Sequence, residues 1–339
     1  MFATYVHQLD PVIIQFTQGI ALRWYGLAYL AAFLFGYLLL KRLAVRKLWV
    51  LPPEKTADFI AACALFGVFL GGRLGYILFY HVPKAGWGSL ADDPLLVFRV
   101  WEGGMASHGG IFGVAIFTFF YARKHKVSWT GLGDGLSVVA PIGLLCGRLA
   151  NFINGELYGR VADGVAWAVK FPTTFTDPKT PEYGRLGEAL AATGAADPQF
   201  LESMNAIETG TLVGEGRFYY AQRLIEANRD SDKVTEAIAP YLEPRHPSQL
   251  YEGLLEGALL FAILWFVRVK FPKAPHGLLT GLFFGLYATF RIFAEQFREP
   301  DAAWVVEGVL TQGQFLSLFM YLFSAAFLVF AFRKRRETV

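Results

Sequence analysis

The chain has 339 residues, of which 54% are hydrophobic, 16% aromatic and 17% charged, with a formal net charge of +3. Soluble domains carry about 25% charged residues, so this composition excludes an ordinary soluble enzyme. The small positive excess implies no nucleic-acid partner, because the basic residues cluster at the ends of apolar runs.

Those runs reach roughly 18 residues or more, enough to cross a ~30 Å hydrocarbon layer. The sequence therefore reads as an all-α polytopic membrane protein with seven transmembrane helices. In chain order they are predicted at Ile20–Leu40, Ala57–Tyr80, Gly104–Tyr121, Gly133–Phe152, Leu250–Val267, Leu278–Phe297 and Phe315–Phe332. Met1 to Gly19 lacks the basic start and small-residue cleavage site of a signal peptide, so the first run is expected to be an uncleaved anchor. Basic clusters follow the first helix (Lys41, Arg42, Arg46, Lys47), the third (Arg123, Lys124, Lys126), the fifth (Arg268, Lys270, Lys273) and the seventh (Arg333 to Arg336). All four fall on one side if the helix count is odd. The positive-inside rule then puts the N-terminus outside and the C-terminus in the cytoplasm.

Residues 160–245 contain no span and are punctuated by Pro172, Pro178, Pro181 and Pro198, with short helices predicted at Leu186–Ala192 and Phe218–Ala227. They are expected to form a small extracytoplasmic head between helices 4 and 5. It divides residues 1–159, which carry helices 1–4, from residues 246–339, which carry helices 5–7 and a basic cytoplasmic tail. Residues near 81–103 read as an arm at the membrane interface, with the apolar piece Pro94–Trp101 on the same side as the head. Cys63 and Cys146 fall inside apolar runs and read as small buried hydrophobes rather than a disulfide, a metal site or a catalytic thiol.

An ionisable group in a span is costly, roughly +2.5 to +3.5 kcal/mol for Arg or Asp near its centre. Such groups need a partner or a polar cavity. In the sixth helix, YATFRIFAEQFREPD spaces Tyr287, Arg291, Glu295 and Arg298 along one stripe. This is either an internal Arg291–Glu295 pair with Arg298 reaching to the surface, or an arginine facing an anion with Glu295 orienting it. GRLANFINGELYG, from Gly147 to Gly159, puts Arg148, Asn151 and Gly155 on one face, with Glu156 at its margin and Asn154 further round. The helix is expected to end near Asn154–Gly155. The bland alternative is a polar helix end bonded to headgroups.

WEGGMASHGG opens the third helix with His108 among glycines, where a lone histidine is as readily structural as functional. RWYGLAY places Arg23, Trp24 and Tyr25 near the outer end of the first helix, where aromatic residues also sit for interfacial reasons alone. GGRLGYILFY adds Arg73, and HPSQLYEGLLE adds His246, Gln249, Tyr251 and Glu252. By the topology above, His108, Arg148, Arg298, Tyr25 and Glu252 lie toward the outer half. One polar cavity open to the outer leaflet would gather them. Arginine pairs suit phosphate, since a planar guanidinium grips two oxygens, so a phospholipid headgroup is the expected ligand.

The same residues carry a family resemblance. GRLANFINGELYG closely resembles the signature of the bacterial prolipoprotein diacylglyceryl transferases. RWYGLAYL, GGRLGYILFY, FRVWEGGMASHGG, RHPSQLYEGLLEG and FRIFAEQFREPD match the same family in its order, from Asp10 to about Leu318. Ala150 stands where the family usually has glycine, and Thr174 to about Glu236 holds no recognisable motif.

The resemblance implies transfer of a diacylglyceryl group from phosphatidylglycerol to the lipobox cysteine of a preprolipoprotein, releasing glycerol phosphate. It implies a multi-pass protein of the bacterial cytoplasmic (inner) membrane with its site facing the outer leaflet. Neither a metal nor an organic cofactor is expected, and a monomer is. Carried over by motif, Arg148 and Arg291 would hold the phosphate, with Asn151 and Asn154 as donors and Glu156 and Glu295 orienting them. Tyr25 and Tyr287 would line the headgroup pocket, and Gly103 and Gly109 are assigned to the same lipid-binding set. His108 is the candidate general base, with Tyr25 its rival. The head would cover the cavity or dock the signal peptide of the lipoprotein. A transporter or channel, and a lipid-binding scaffold without chemistry, are the competing classes. No internal repeat supports the first, and the second leaves His108, Tyr25 and the carboxylates without a purpose.

Overall fold

The structure is a computed structural model and describes residues 4–17, 20–99, 103–193, 215–300, 305–306 and 308–336. The chain is mostly helical. Its first strand, β1 (Tyr5–Val6), precedes a hairpin of β2 (Val12–Thr17) and β3 (Ile20–Arg23). Helices α1 (Trp24–Val45), α2 (Pro53–Ala85), α3 (Ser107–His125) and α4 (Trp129–Asn154) follow. The segment after α4 holds β4 (Val169–Lys170), α5 (Leu186–Ala192), α6 (Glu215–Asp230) and α7 (Asp232–Ile238). The chain closes with α8 (Ser248–Lys270), α9 (Leu278–Ala294) and α10 (Gln312–Arg336).

Among the described residues five helices are long and apolar enough to cross a membrane: α1, α2, α4, α8 and Gln312–Arg333 of α10. Helix α9 is apolar but has 17 residues, and α3 ends on Arg123, Lys124 and His125. The exposed side chains of these helices include Leu30, Leu34, Phe66, Phe112, Ile116, Leu322 and Phe323. Apolar residues turned outward in this way are what hydrocarbon contact requires.

Three expectations need correction. The fold is not purely helical, since β1 pairs with β4 and β2 with β3. The first helix starts at Trp24 rather than Ile20, because Ile20–Arg23 is taken up by the hairpin with Val12–Thr17. Helix α9 ends at Ala294, short of Phe297. Helix α4 ends at Asn154 as expected, and α5 occupies Leu186–Ala192. Cys63 and Cys146 are both free thiols, the first buried and the second only half-buried. The signal-peptide reading rests partly on Met1–Ala3, Gln18 and Gly19, and the interfacial segment reaches Val100 and Trp101; these lie outside the described residues. Within the rest of that segment, Trp87, Leu95 and Phe98 are exposed.

The chain divides into two compact units. The first comprises Met1–Ala31, Leu144–Leu259 and Ala288–Phe319. Val6, Phe175, Leu186, Ala189, Leu190, Ala221, Leu224, Ile238 and Leu242 form a core within it, so the N-terminal strand packs with residues 160–245. Beside that core, Arg245 donates to both oxygens of Glu182, from Nε at 3.1 Å and from Nη2 at 3.0 Å. Both side chains are buried, and removing one partner of such a pair costs about 3–5 kcal/mol because the other charge is stranded.

His7 is buried between Phe152 and Phe171, with ring centroids 5.5 Å from each. Burial holds its imidazole down at about 4, against an ordinary 6.5. Between those values the unfolded chain binds a proton that the folded chain refuses. Stability contributed by neutral His7 is therefore present above pH 6.5 and is lost as the pH falls toward 4, by about 3 kcal/mol in all. His7→Phe is expected to flatten the slope of melting temperature against pH across that window. An unchanged slope would show that another group carries it.

The second unit comprises Ala32–Gly143, Leu260–Tyr287 and Met320–Val339. Gly67, Gly71 and Gly75 line one face of α2 against α3. A Cβ at Gly71 would lie 2.7 Å from Gly109 O and from Gly113 Cα, so the two backbones touch through small residues, as membrane helices commonly do. Asp134 receives the amides of Gly277 at 2.8 Å and Thr280 at 2.9 Å, capping the start of α9.

Candidate functional site

The site in the first unit is built around the end of α4. Gly155 adopts φ +67°, its amide bonds Phe152 O at 2.9 Å, and the amide of Glu156 bonds Asn151 O at 3.1 Å. This pair of reversed bonds is a glycine-dependent helix stop. It turns the chain so that Glu156 comes back beside the last turn of its own helix. Asn151 Nδ2 donates to Glu156 Oε1 at 2.8 Å and to the Tyr25 hydroxyl, which in turn donates to Glu156. Gln249 Nε2 donates to Glu156 O at 2.7 Å, and Ser248 Oγ to Leu157 O at 2.9 Å. The start of α8 is thereby tied to the GELYG turn. At Gly159 a Cβ would lie 2.5 Å from Phe297 O. The following amide, Arg160 N, bonds that carbonyl at 2.9 Å.

The second half of the site is a six-residue ion network. Glu252 receives Arg148 Nε at 2.9 Å, Arg298 Nη1 at 2.9 and 3.1 Å, and Arg291 Nη1. Glu256, one turn on, lies 3.5 Å from Arg148 Nη2 and 3.7 Å from Arg291 Nη1. Glu295 pairs with Arg291 Nη2 at 2.8 Å and accepts the Thr311 hydroxyl at 2.9 Å. Helix α8 widens to a π-helical turn over Gly253–Leu259, the stretch that carries Glu256. Gly253 and Gly257 lie against Arg148 and Leu145 of α4, so the absence of side chains there lets the two helices approach. Three guanidiniums and three carboxylates balance formally. The distribution is uneven: the side chains of Glu252 and Glu256 are fully buried, while Arg148 and Arg291 keep 16% and 14% exposure. The accessible side chains of the network are thus those of two arginines, and the carboxylates that hold them are buried.

Of the residues proposed from sequence, the structure brings together Tyr25, Asn151 and Glu156 in one cluster and Arg148, Arg291 and Glu295 in the other. Asn154 lies at the helix end with its Oδ1 buried and, among the described residues, without a hydrogen-bond partner. Arg291 and Glu295 do form the local pair, but Arg291 also reaches Glu252 and Glu256. Arg298 does not reach to a surface; it is buried on Glu252. Helical periodicity does not place it, since α9 has ended at Ala294. Its backbone instead pairs with Gly159.

His108, Gly103, Gly109 and Tyr287 belong to the second unit. His108 is exposed in the first turn of α3. Gly103 and Gly104 take φ +85° and +80°, and Arg73 Nη1 donates to both carbonyls, so Arg73 fastens this loop. Gly109 sits in the contact with α2, which gives it a packing job of its own. Tyr287 stacks on Phe283 with centroids 5.8 Å apart.

The sequence by itself singles out neither Glu256 nor Thr311, and it does not mark Glu252 as the hub. The available signal was two carboxylates at i and i+4 inside an apolar run, each of which demands a cation. Which cations meet them is long-range, because Arg148 and Arg291 lie 104 and 39 residues from Glu252 in the chain (252 − 148; 291 − 252).

The sequence profile of the prolipoprotein diacylglyceryl transferases matches residues 11–330. The chain is similar to a protein of Bdellovibrio bacteriovorus named phosphatidylglycerol–prolipoprotein diacylglyceryl transferase, 39% identical over 94% of this chain and 91% of that protein. A protein of the same name from Serratia proteamaculans is 37% identical over 97% and 96%. One from Sodalis glossinidius is 38% identical over 97% and 96%.

Proposed function

The chain belongs to the prolipoprotein diacylglyceryl transferase family, and from that premise we propose that it transfers the diacylglyceryl group of phosphatidylglycerol to the lipobox cysteine of preprolipoproteins. The observation that carries the residue roles is the uneven ion network. Arg148 and Arg291 keep part of their side chains accessible, while the buried Glu252 and Glu256 hold their guanidiniums in place. Fixed cations of this kind stabilise charge that develops on a departing group better than mobile water does.

In the step we propose, the cysteine sulfur attacks the glycerol carbon that bears the phosphate. The S–C bond forms, the C–O bond breaks, and the electron pair leaves with glycerol phosphate. Arg148 and Arg291 hold the phosphate. Glu252, Glu256 and Glu295 orient the arginines, and Tyr25, Asn151 and Glu156 border the headgroup with Asn154. The thiol has an ordinary value of about 8.5 and must give up its proton. His108 is the proposed base, with Tyr25 as the second reading because its hydroxyl already has Glu156 as acceptor. Tyr287, Gly103 and Gly109 are proposed for the lipid-binding side of the second unit.

For the membrane arrangement we infer seven spans, adding α3 and α9 to the five long apolar helices. The basic clusters then face the cytoplasm of a bacterial inner membrane, and the site opens toward the outer leaflet. Residues 160–245 form the extracytoplasmic head between residues 1–159 and 246–339, and a monomer is expected.

The test is direct. Purified protein incubated with phosphatidylglycerol and a lipobox peptide is expected to add a diacylglyceryl mass to the peptide. An unchanged peptide mass overturns the assignment. In the same assay His108→Ala is expected to lose about 10²–10⁴-fold in single-turnover rate, and Tyr25→Phe to lose less. The reverse ranking transfers the base role to Tyr25.

A further inference from the structure

The second unit contains a cavity of about 210 Å³ at the helix ends where basic residues gather. It is lined by Lys47, Trp49, Asp134, Arg268, Pro272 and His276, among others. Its volume equals about seven water molecules at roughly 30 Å³ each, enough for a phosphate group. The reaction proposed above uses none of these residues.

Arg268 is the unusual member. It is 6% exposed, yet among the described residues its guanidinium, which carries five N–H donors, makes a single hydrogen bond, from Nη2 to Pro272 O. Its Nε is buried without an acceptor. Among the described residues no carboxylate lies within ion-pair distance of it. Asp134 is committed elsewhere: one oxygen takes Gly277 N at 2.8 Å, and the other takes Thr280 N and Thr280 Oγ1, each at 2.9 Å. Lys47 and His276 stand exposed at the rim. A buried guanidinium with most of its donors unused is expensive unless an anion meets it. Here the cavity supplies the space and the rim adds a second cation.

We propose that this cavity binds a phosphate-type anion, with Arg268 as the floor and Lys47 as the rim cation. The chemistry is shared by a phospholipid headgroup reaching the helix ends and by free phosphate. None of these residues belongs to the arginine network around Glu252, so the proposal does not rest on the reaction.

Full-length protein in non-ionic detergent is titrated with inorganic phosphate, with chloride at equal ionic strength as the control, and its melting temperature is followed. A saturable rise with phosphate is expected. It should vanish in Arg268→Gln and require about tenfold more ligand in Lys47→Gln, the factor that follows from losing one charge-assisted contact. Arg148→Ala should keep the rise. If Arg148→Ala loses it instead, the anion sits in the Glu252 network and the proposal fails. Should Arg268→Gln not fold, the exposed rim variants Lys47→Gln and His276→Gln carry the test. With the substrate clamp disabled by Arg148→Ala, dioctanoyl phosphatidylglycerol separates the sources: binding tighter than that of phosphate, and lost when Arg268→Gln or Lys47→Gln is added, identifies a lipid headgroup. Binding no tighter than phosphate identifies a free anion. If folded Lys47→Gln and Arg268→Gln respond to both probes as the wild type does, there is no such site.

Discussion

Glu252→Gln is expected to lower the rate of diacylglyceryl transfer by at least about a hundredfold, in the range seen when one element of a preorganised electrostatic site is removed. Glu252 is the hub on which Arg148, Arg291 and Arg298 converge. The glutamine keeps the shape but removes the charge, leaving three guanidiniums against the two carboxylates of Glu256 and Glu295. The folded state should lose about 3–5 kcal/mol, the cost of stranding a buried charge. Because melting temperature alone would not separate support from chemistry, the informative comparison is with Glu252→Asp. That variant keeps the charge on a shorter stem, and it should recover most of the melting temperature while the single-turnover rate stays depressed. A Glu252→Gln protein that transfers and melts like the wild type would remove Glu252 from the site.

The second large effect is expected at the arginines. Arg291→Ala should abolish detectable transfer, and Arg148→Lys should fail nearly as completely. Arg148 spends Nε on Glu252 and Nη2 on Glu256, an arrangement that depends on a planar fork. Lysine offers one compact ammonium and cannot hold two carboxylates and a phosphate oxygen in fixed geometry. The readout is the mass of the lipobox peptide after a single turnover, with circular dichroism confirming that each variant retains its helices. An active, folded Arg291→Ala would sink the phosphate-clamp reading.

Much of this is legible in the sequence. The apolar runs marked the helices, because a chain in hydrocarbon must satisfy its backbone within each segment. The Asn154–Gly155 stop was readable from residue type, since a positive φ at Gly155 is cheap for glycine alone. Arg148 and Arg291 stand out because a guanidinium in an apolar run needs an explanation. The site's inner layer was less accessible. By spacing Arg298 is the last member of a helical stripe, but the helix ends at Ala294 and a backbone pairing with Gly159 sets its position. Gly109, which the resemblance assigns to the lipid, also packs against the glycines of α2, a contact that no local pattern shows.

The division follows from range. Local chemistry along the chain decides where apolar segments run, where a helix stops, and which charges are too costly to stand alone. Which carboxylate answers which arginine depends on how α4, α8 and the end of α9 cross. Those crossings are governed by the glycine contacts at Gly253 and Gly257 and by the pairing at Gly159. No single segment encodes them, so Glu252 became a hub, and Glu256 a member of the site, only once the chain had folded.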